Sequence, residues 1–264
     1  MSLQESTWLR AALREIGRGT HGARALDAET AARLWSALLD GALPESVVGA
    51  VLMAFRFKGE TSDELGALLD ACAARAAPLA VAGPLVVMPC YNGGKRLPNM
   101  TWLTARALRA AGMRVLLHGV RADPGRVTTF EVATAAGLDA ASDVPSAARA
   151  LARDGLAFLP IDAWCPALAA LLERRRVLGL RNSGHTVCKL MHPAVDADRM
   201  LMLVPVTHVD YVPRALSVLQ GRVHDALVFR GVDGEPALYP HAPRTLWRLH
   251  DGLVDELQLS PDLA

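Results

Sequence analysis

Two short segments carry the residue types that bind phosphate. The first, PCYNGGKRLPNMTW at residues 89–102, sets Gly93 and Gly94 immediately before Lys95 and Arg96. A glycine pair lets the backbone approach an anion closely, successive N–H groups there form an anion-binding concavity, and Lys95 would add charge. The second, HGVRADPGR at residues 118–126, places Arg121 and Arg126 on either side of a Pro124–Gly125 turn. As spacing alone, Gly-Gly-Lys fits an ordinary strand-to-helix turn about as well as an anion site. The missing Ser or Thr after Lys95 excludes a Walker A loop.

The formal net charge of +1 over 264 residues hides an internal asymmetry. Residues 91–130 hold Lys95, Arg96, Arg106, Arg109, Arg114, Arg121 and Arg126 against Asp123 alone, and residues 173–192 hold Arg174, Arg175, Arg176, Arg181 and Lys189 against Glu173 alone. If the two stretches meet, they form a local anion-binding field that the overall charge conceals. For Arg106 and Arg109 the simpler reading is a solvated helix face. Arg174 to Arg176 also suit the negative end of a helix dipole. Tyr91, Trp102 and Trp164 lie near these stretches and would serve either as base-stacking platforms or as core packing. His185 and His192 flank Lys189, and a phosphate contact competes there with a surface or helix-end role.

Other chemistries find little support. The histidines show no HExxH or related metal spacing, Ser183 and His185 are too close in sequence for a nucleophile and its base, and no G-x-S-x-G elbow occurs. Cys72, Cys90, Cys165 and Cys188 are widely spaced without a CxxC pair, which suits buried reduced thiols in a cytoplasmic protein. The N-terminus carries charges within its apolar pattern and no run of about 18 apolar residues follows, so neither a signal peptide nor a membrane span is expected.

The elements that must position these residues follow from periodicity. Apolar spacings of three and four predict helices at 7–16, 27–40, 44–57 and 61–75, with Asp27 as an N-cap and a Thr61–Glu64 capping box. After Pro78 and Pro84 the pattern becomes alternating: PLVVMP, helix 99–111, RVLLHGV, helix 126–136, helix 146–154, LAFLPI, a helix from near Pro166, MLMLVPV, helix 211–219, and DALVFRG. Such alternation implies a mainly parallel sheet with flanking helices. The expected fold is therefore α/β: a small all-helical N-terminal domain at 1–78, then a mainly parallel-sheet α/β domain at 79–264. Anions would bind at the carboxyl ends of its strands.

Placed together, these segments resemble the anthranilate phosphoribosyltransferase family from about residue 8 to Glu235. His118, Gly119, Arg121 and Gly137 keep the family's His-Gly-Asn-Arg segment, with Arg126 where the enzymes have Lys. The run 99–119 matches the Asn-Ile-Ser-Thr helix and its following strand, and Arg175–Asn182 matches Arg-Arg-x-Leu-Gly-x-Arg-Thr. The departures fall on the chemistry. Pro89 to Gly93 replace the Gly-Thr-Gly-Gly-Asp that takes the diphosphate of phosphoribosyl pyrophosphate; Val120, Pro124 and Gly125 replace an Asn and two serines. Pro236 and Ala237 replace the two acids that hold magnesium, and the matched Asp233–Gly234 pair argues against a register shift that would recruit Asp233 or Glu235. Cys165 stands where the acceptor pocket has His, leaving His118 and Arg175 of its polar contacts.

EIGRGTHGARALD, PCYNGGKRLPNMT and LGLRNSGHTVCKL are similar to the YbiB branch of that family. This resemblance implies a homodimer, paired through its helical domain, that binds single-stranded DNA or RNA without sequence preference and lacks phosphoribosyltransferase activity. It also implies a chain short at its C-terminus relative to the family. The phosphate-binding set is then Asn92, Gly93, Gly94, Lys95, Arg96, Asn99, Thr101, His118, Arg121, Arg126, Arg174, Arg175, Arg176, Arg181 and Lys189, with no catalytic residue, metal or cofactor. The alternative is a phosphoribosyltransferase acting on phosphoribosyl pyrophosphate and an aromatic acceptor.

Overall fold

The computed structural model describes residues 3–19, 21–195, 199–239 and 244–260. In chain order it forms α1 (Leu3–Ile16), α2 (Ala28–Leu39), α3 (Glu45–Lys58), α4 (Ser62–Ala73), β1 (Leu79–Ala80), β2 (Leu85–Cys90), α5 (Thr101–Ala110), β3 (Val115–Gly119), α6 (Thr129–Ala135), α7 (Val144–Asp154) and β4 (Leu156–Pro160). There follow α8 (Ile161–Trp164), α9 (Pro166–Leu178), α10 (Gly184–Val187), β5 (Ala194–Val195), β6 (Met200–Val206), α11 (Val212–Leu219), β7 (Asp225–Arg230), β8 (Arg244–His250) and β9 (Leu253–Leu259). Among the described residues, no helix is long and apolar enough to cross a membrane.

Two compact units result. The helical unit contains residues 1–75 and also 165–187, so α9 and α10 join the first four helices. By packing, 165–187 thus joins the helical unit, which a single cut at residue 78 does not express. The physical reason is packing within the helical unit, where α9 meets α2 and α10 meets α4. Linear periodicity shows that α9 is a helix but not which partners bury it.

Glu64 organises the helical unit. It completes the Thr61 capping box and accepts hydrogen bonds from Leu26 N at 2.9 Å and Lys58 Nζ at 2.6 Å while wholly buried. Trp35, equally buried, donates its indole N–H to the Glu64 carbonyl. A mid-sequence capping acid thus also fixes the entry to α2 and the end of α3.

The α/β unit holds a seven-stranded sheet in the order β4-β3-β2-β6-β7-β8-β9. The first five strands are parallel and the last two antiparallel. β2, β3 and β4 are buried on both faces, as parallel strands covered by helices must be. One face packs Val86, Met88, Val115, Leu117 and Phe158 against Trp102 and Ala105 of α5 and Ala133 of α6. The β8–β9 hairpin turns at Asp251 and Gly252, both with positive φ. That pairing matches a two-residue Asp-Gly turn, a signal present in the sequence but obscured by the polar residues of both strands.

Substituting Glu64→Ala would leave Lys58 and the Leu26 N–H without their buried acceptor. Breaking a buried ion pair from one side costs about 3–5 kcal/mol. Urea denaturation followed by tryptophan fluorescence should show that loss in the helical unit's transition; a change within about 0.5 kcal/mol, the range of an ordinary surface substitution, would contradict this role.

Candidate phosphate site

The site lies at the carboxyl ends of β2, β3, β6 and β7. The turn after β2 contributes residues 91–97 and the turn after β3 contributes 120–128. A short bridge joins them, with Gly94 N donating to Val127 O at 2.8 Å and Val127 N to Gly94 O at 2.9 Å. Gly93, at φ 67°, is needed there, because a Cβ would press on the Val127 carbonyl. Asn99 adds a second tie, donating from Nδ2 to Val127 O and Thr129 Oγ1 and accepting from Thr101 N. α5 begins at Thr101 and α6 at Thr129, so Asn99 and Arg126 lie in loops, not in the helices expected at 99–111 and 126–136. The Asn99 side chain, whose Oδ1 takes the Thr101 N–H, and the Thr128–Glu131 capping box account for the later starts.

The backbone N–H groups of the glycine loop do converge on anionic oxygen, but that oxygen belongs to the chain itself. Glu235, 2% exposed, accepts from Asn92 N at 2.6 Å, Gly93 N at 2.9 Å and Thr129 Oγ1 at 2.7 Å, with Thr101 Oγ1 at 3.5 Å. Asp233 Oδ2 accepts from Lys95 N at 3.0 Å, Arg96 N at 2.9 Å and, more weakly, Leu97 N at 3.4 Å. Both acids sit on the turn after β7, which reaches past the end of β6 to meet the β2 turn. Burial pushes the Asp233 carboxyl up, but the three N–H donors and the Arg126 charge outweigh it and hold the group below its ordinary value.

Sequence reasoning matched Asp233 and Glu235 to a metal motif and set them aside as ligands; their use as anions for backbone donors was missed. The available signal was two acids flanking a glycine directly after a sheet strand. Magnesium, which the family resemblance invokes, does not fit the residues present. Pro236 and Ala237 offer no side-chain oxygen, Asp233 and Glu235 turn to the loop, and no cluster of three His, Cys, Asp or Glu among the described residues is placed to hold a metal.

Several residues of the expected phosphate set have structural duties. His118 is wholly buried, its Nδ1 2.8 Å from the Tyr91 hydroxyl and its ring edge-on to Tyr91 and Trp164. Burial, then the neighbouring His192, push its pKa down to about 3, with the Met191 backbone opposing only in part. A neutral, inaccessible imidazole binds no phosphate. Tyr91, Trp102 and Trp164 are also buried, so they pack and do not present stacking faces. Lys189 is buried and donates to Gly234 O at 3.1 Å. Arg126 donates to Gly93 O at 3.1 Å and lies near Asp123. His185 bonds Asn182 and His192 bonds the Ala194 carbonyl, which are turn-closing roles.

The accessible cations are fewer than the charge count suggests. Lys95 and Arg96 are exposed on the crest of the loop, and neither head group has an ion-pair partner among the described residues. Arg121 pairs with Asp162 at 3.1 Å in an exposed bridge, an interaction of about 0–1 kcal/mol that an external anion can displace. Arg174, Arg175, Arg176 and Arg181 belong to the helical unit, where Arg174 pairs with Glu45 and Arg176 with Glu173. Arg175 and Arg181 are half-buried.

Comparison with known proteins gives a consistent picture. Residues 10–76 match the helical bundle domain of the glycosyl transferase family, and residues 92–263 match its a/b domain. The chain is 34% identical over 229 residues to the uncharacterized protein YbiB of Escherichia coli (strain K12), covering 86% of this chain and 71% of that one. It is 32% identical over 241 residues to anthranilate phosphoribosyltransferase of Parasynechococcus marenigrum (strain WH8102), covering 90% and 68%. Among solved structures, anthranilate phosphoribosyltransferase (TrpD) from Thermus thermophilus superposes with a TM-score of 0.76 at 23% identity, covering 97% of this chain and 74% of that one. The Saccharomyces cerevisiae enzyme in complex with PRPP and Mg gives 0.75 at 15%, covering 99% and 74%. These two likenesses concern the fold.

The buried neutral His118 makes stability depend on pH. The unfolded chain takes up a proton near pH 6.5 and the folded chain only near 3, so the contribution is complete above 6.5 and is lost as pH falls. Denaturant unfolding should weaken by roughly 1.4 kcal/mol per pH unit below 6.5, on the order of 4 kcal/mol by about pH 3.5. In His118→Asn, which keeps a polar partner for Tyr91, that slope should flatten to what His192 and the depressed carboxylates, Asp233 among them, leave. An unchanged slope would show that His118 does not set it.

Proposed function

The chain belongs to the glycosyl transferase family, among anthranilate phosphoribosyltransferase-like proteins, and on that premise we propose that it is a homodimeric nucleic-acid binder without phosphoribosyltransferase activity. One observation carries this reading. The N–H donors of the β2 turn, which a diphosphate would need, hold Glu235 and Asp233, while Lys95 and Arg96 stand exposed above them. A site whose backbone donors are occupied and whose crest is cationic suits contact with the outside of a polyanion better than enclosure of a small substrate.

Single-stranded DNA or RNA is the ligand class. The contacts are point charges and not a shaped pocket for base edges, so they discriminate little between sequences. Arg121 joins Lys95 and Arg96 when its exposed bridge to Asp162 opens. A two-fold dimer supplies a second copy of the crest. The buried aromatics remove base stacking from the binding energy, which leaves counterion release dominant and the affinity steeply salt-dependent.

The competing reading is catalytic, favoured by the relatives named anthranilate phosphoribosyltransferase. It requires the 233–235 turn to vacate the loop and a metal to be held without the two acids replaced by Pro236 and Ala237.

Anisotropy titration of labelled oligonucleotides against salt tests the proposal. Each phosphate contact on a single strand contributes about 0.7 to the log–log slope, so Lys95→Ala with Arg96→Ala should reduce it by about 1.4 per site and weaken all sequences alike. A flat wild-type slope would sink the nucleic-acid reading. Magnesium-dependent binding of phosphoribosyl pyrophosphate, with transfer to anthranilate, would establish the catalytic one.

A further inference from the structure

Beside the cationic crest lies a strip of exposed aliphatic side chains. Leu97 is 45% exposed, Met100 45%, Leu103 53% and Val127 54%. Single exposed apolar residues are ordinary on a protein surface, but these four adjoin one another. Val127 exchanges main-chain bonds with Gly94, and a Cβ on Gly94 would press on the Leu97 carbonyl, so both residues flank one glycine. Met100 caps the start of α5, and Leu103 follows at a spacing of three, on the same side of the helix.

Packing of α5 does not call for this strip. The helix turns Thr101, Trp102 and Ala105 inward, which completes its buried stripe and leaves the opposite face free to be polar. Cations bound the strip at both ends. Lys95 and Arg96 directly precede Leu97, and Arg106 stands one turn beyond Leu103, exposed and without an ion-pair partner among the described residues. Six residues of helix set Arg106 about 9 Å along the axis from Met100. The order is cation, aliphatic strip, cation. It matches phosphate, base, phosphate along a strand whose bases are unpaired.

We propose that a single strand runs from the crest along the exposed face of α5, laying bases on Leu97, Met100 and Leu103 and carrying its next phosphates to Arg106. The inference rests on the nucleic-acid reading and sharpens it. Every base has an apolar face, so contact with that face selects an unpaired strand without selecting its sequence. In a duplex those faces are stacked inside. Aliphatic contact thus takes the place that the buried aromatics leave open. An anionic membrane is the other partner that a basic, apolar ridge suggests. Interfacial helices carry apolar side chains over several turns, whereas Arg106 and Arg109 interrupt the exposed face of α5 after one. The shortness of the strip favours the strand.

Anisotropy titrations of the full chain over a range of salt, with an oligothymidine and with an abasic strand of equal length, test the inference. The two strands offer the same phosphates and differ only in their bases. Wild type should bind the oligothymidine at least about fivefold more tightly at every salt concentration, the factor expected for covering half of one leucine side chain, and with equal slopes. Leu97→Ala with Met100→Ala and Leu103→Ala should erase that gap and keep the slope. Arg106→Ala should keep the gap and lower the slope by about 0.7 per site; an unchanged slope would take the strand off this helix. A steep slope with equal affinity for both strands overturns this inference and leaves the polymer reading standing, whereas a flat slope removes both. Binding to anionic phospholipid vesicles that the triple variant loses, with no gap between the two strands in wild type, would assign the ridge to a membrane instead. If the triple variant lacks a wild-type circular dichroism spectrum, Leu103→Ala alone is held to the same comparison, with the gap expected to shrink at least about twofold.

Discussion

The α/β unit is organised at its carboxyl edge by hydrogen bonds from main-chain N–H groups to two internal carboxylates. Glu235 and Asp233 bring the turn after β7 onto the turn after β2. That connection crosses β6, because β2 and β7 are not neighbours in the sheet. Thr129 extends it to the start of α6, and the Gly94–Val127 bridge ties in the turn after β3. The ends of β2, β3 and β7 are thereby fixed by contacts between loops, which the sheet's own ladder does not supply. Unpaired N–H groups at such an edge would be costly if buried, and the two carboxylates supply their acceptors.

The same contacts explain how the loop holds its shape with these residues in place. Pro89 to Gly93 share little chemistry with the family's glycine-rich sequence, yet the turn still presents donors toward one point. The negative charge that the turn's donors meet comes from within the chain. The electrostatics of the crest follow from this: with the interior neutralised by Glu235 and Asp233, Lys95 and Arg96 face solvent without an internal partner. The charge tally overstated the accessible cations, since Lys189 and Arg126 serve backbone carbonyls and Arg174 and Arg176 are paired.

Much of the fold was legible because it rests on local rules. The Asp27 cap, the Thr61–Glu64 capping box and the double-sided burial of β2, β3 and β4 each follow from residues within a few positions of one another. What escaped depends on separation in sequence. Asn92 and Glu235 are 143 residues apart, and no periodicity connects them. The transfer of α9 and α10 to the helical unit is of the same kind. His118 was misread for a different reason: histidine type and motif position indicate proximity to a site, whereas burial decides whether the ring can be charged. The β8–β9 hairpin was overlooked because polar and charged residues interrupt its apolar alternation, as they do on an edge strand exposed along its length.

The bridge between Gly94 and Val127 has an evolutionary side. Two turns from different βα units are stitched by a reciprocal pair of main-chain bonds and by Asn99, so neither can change length without displacing the other. They constitute one inheritable cassette. Insertions tolerated in ordinary surface loops would be penalised here twice, and a transplant of either turn between family members should succeed only when its mate travels with it.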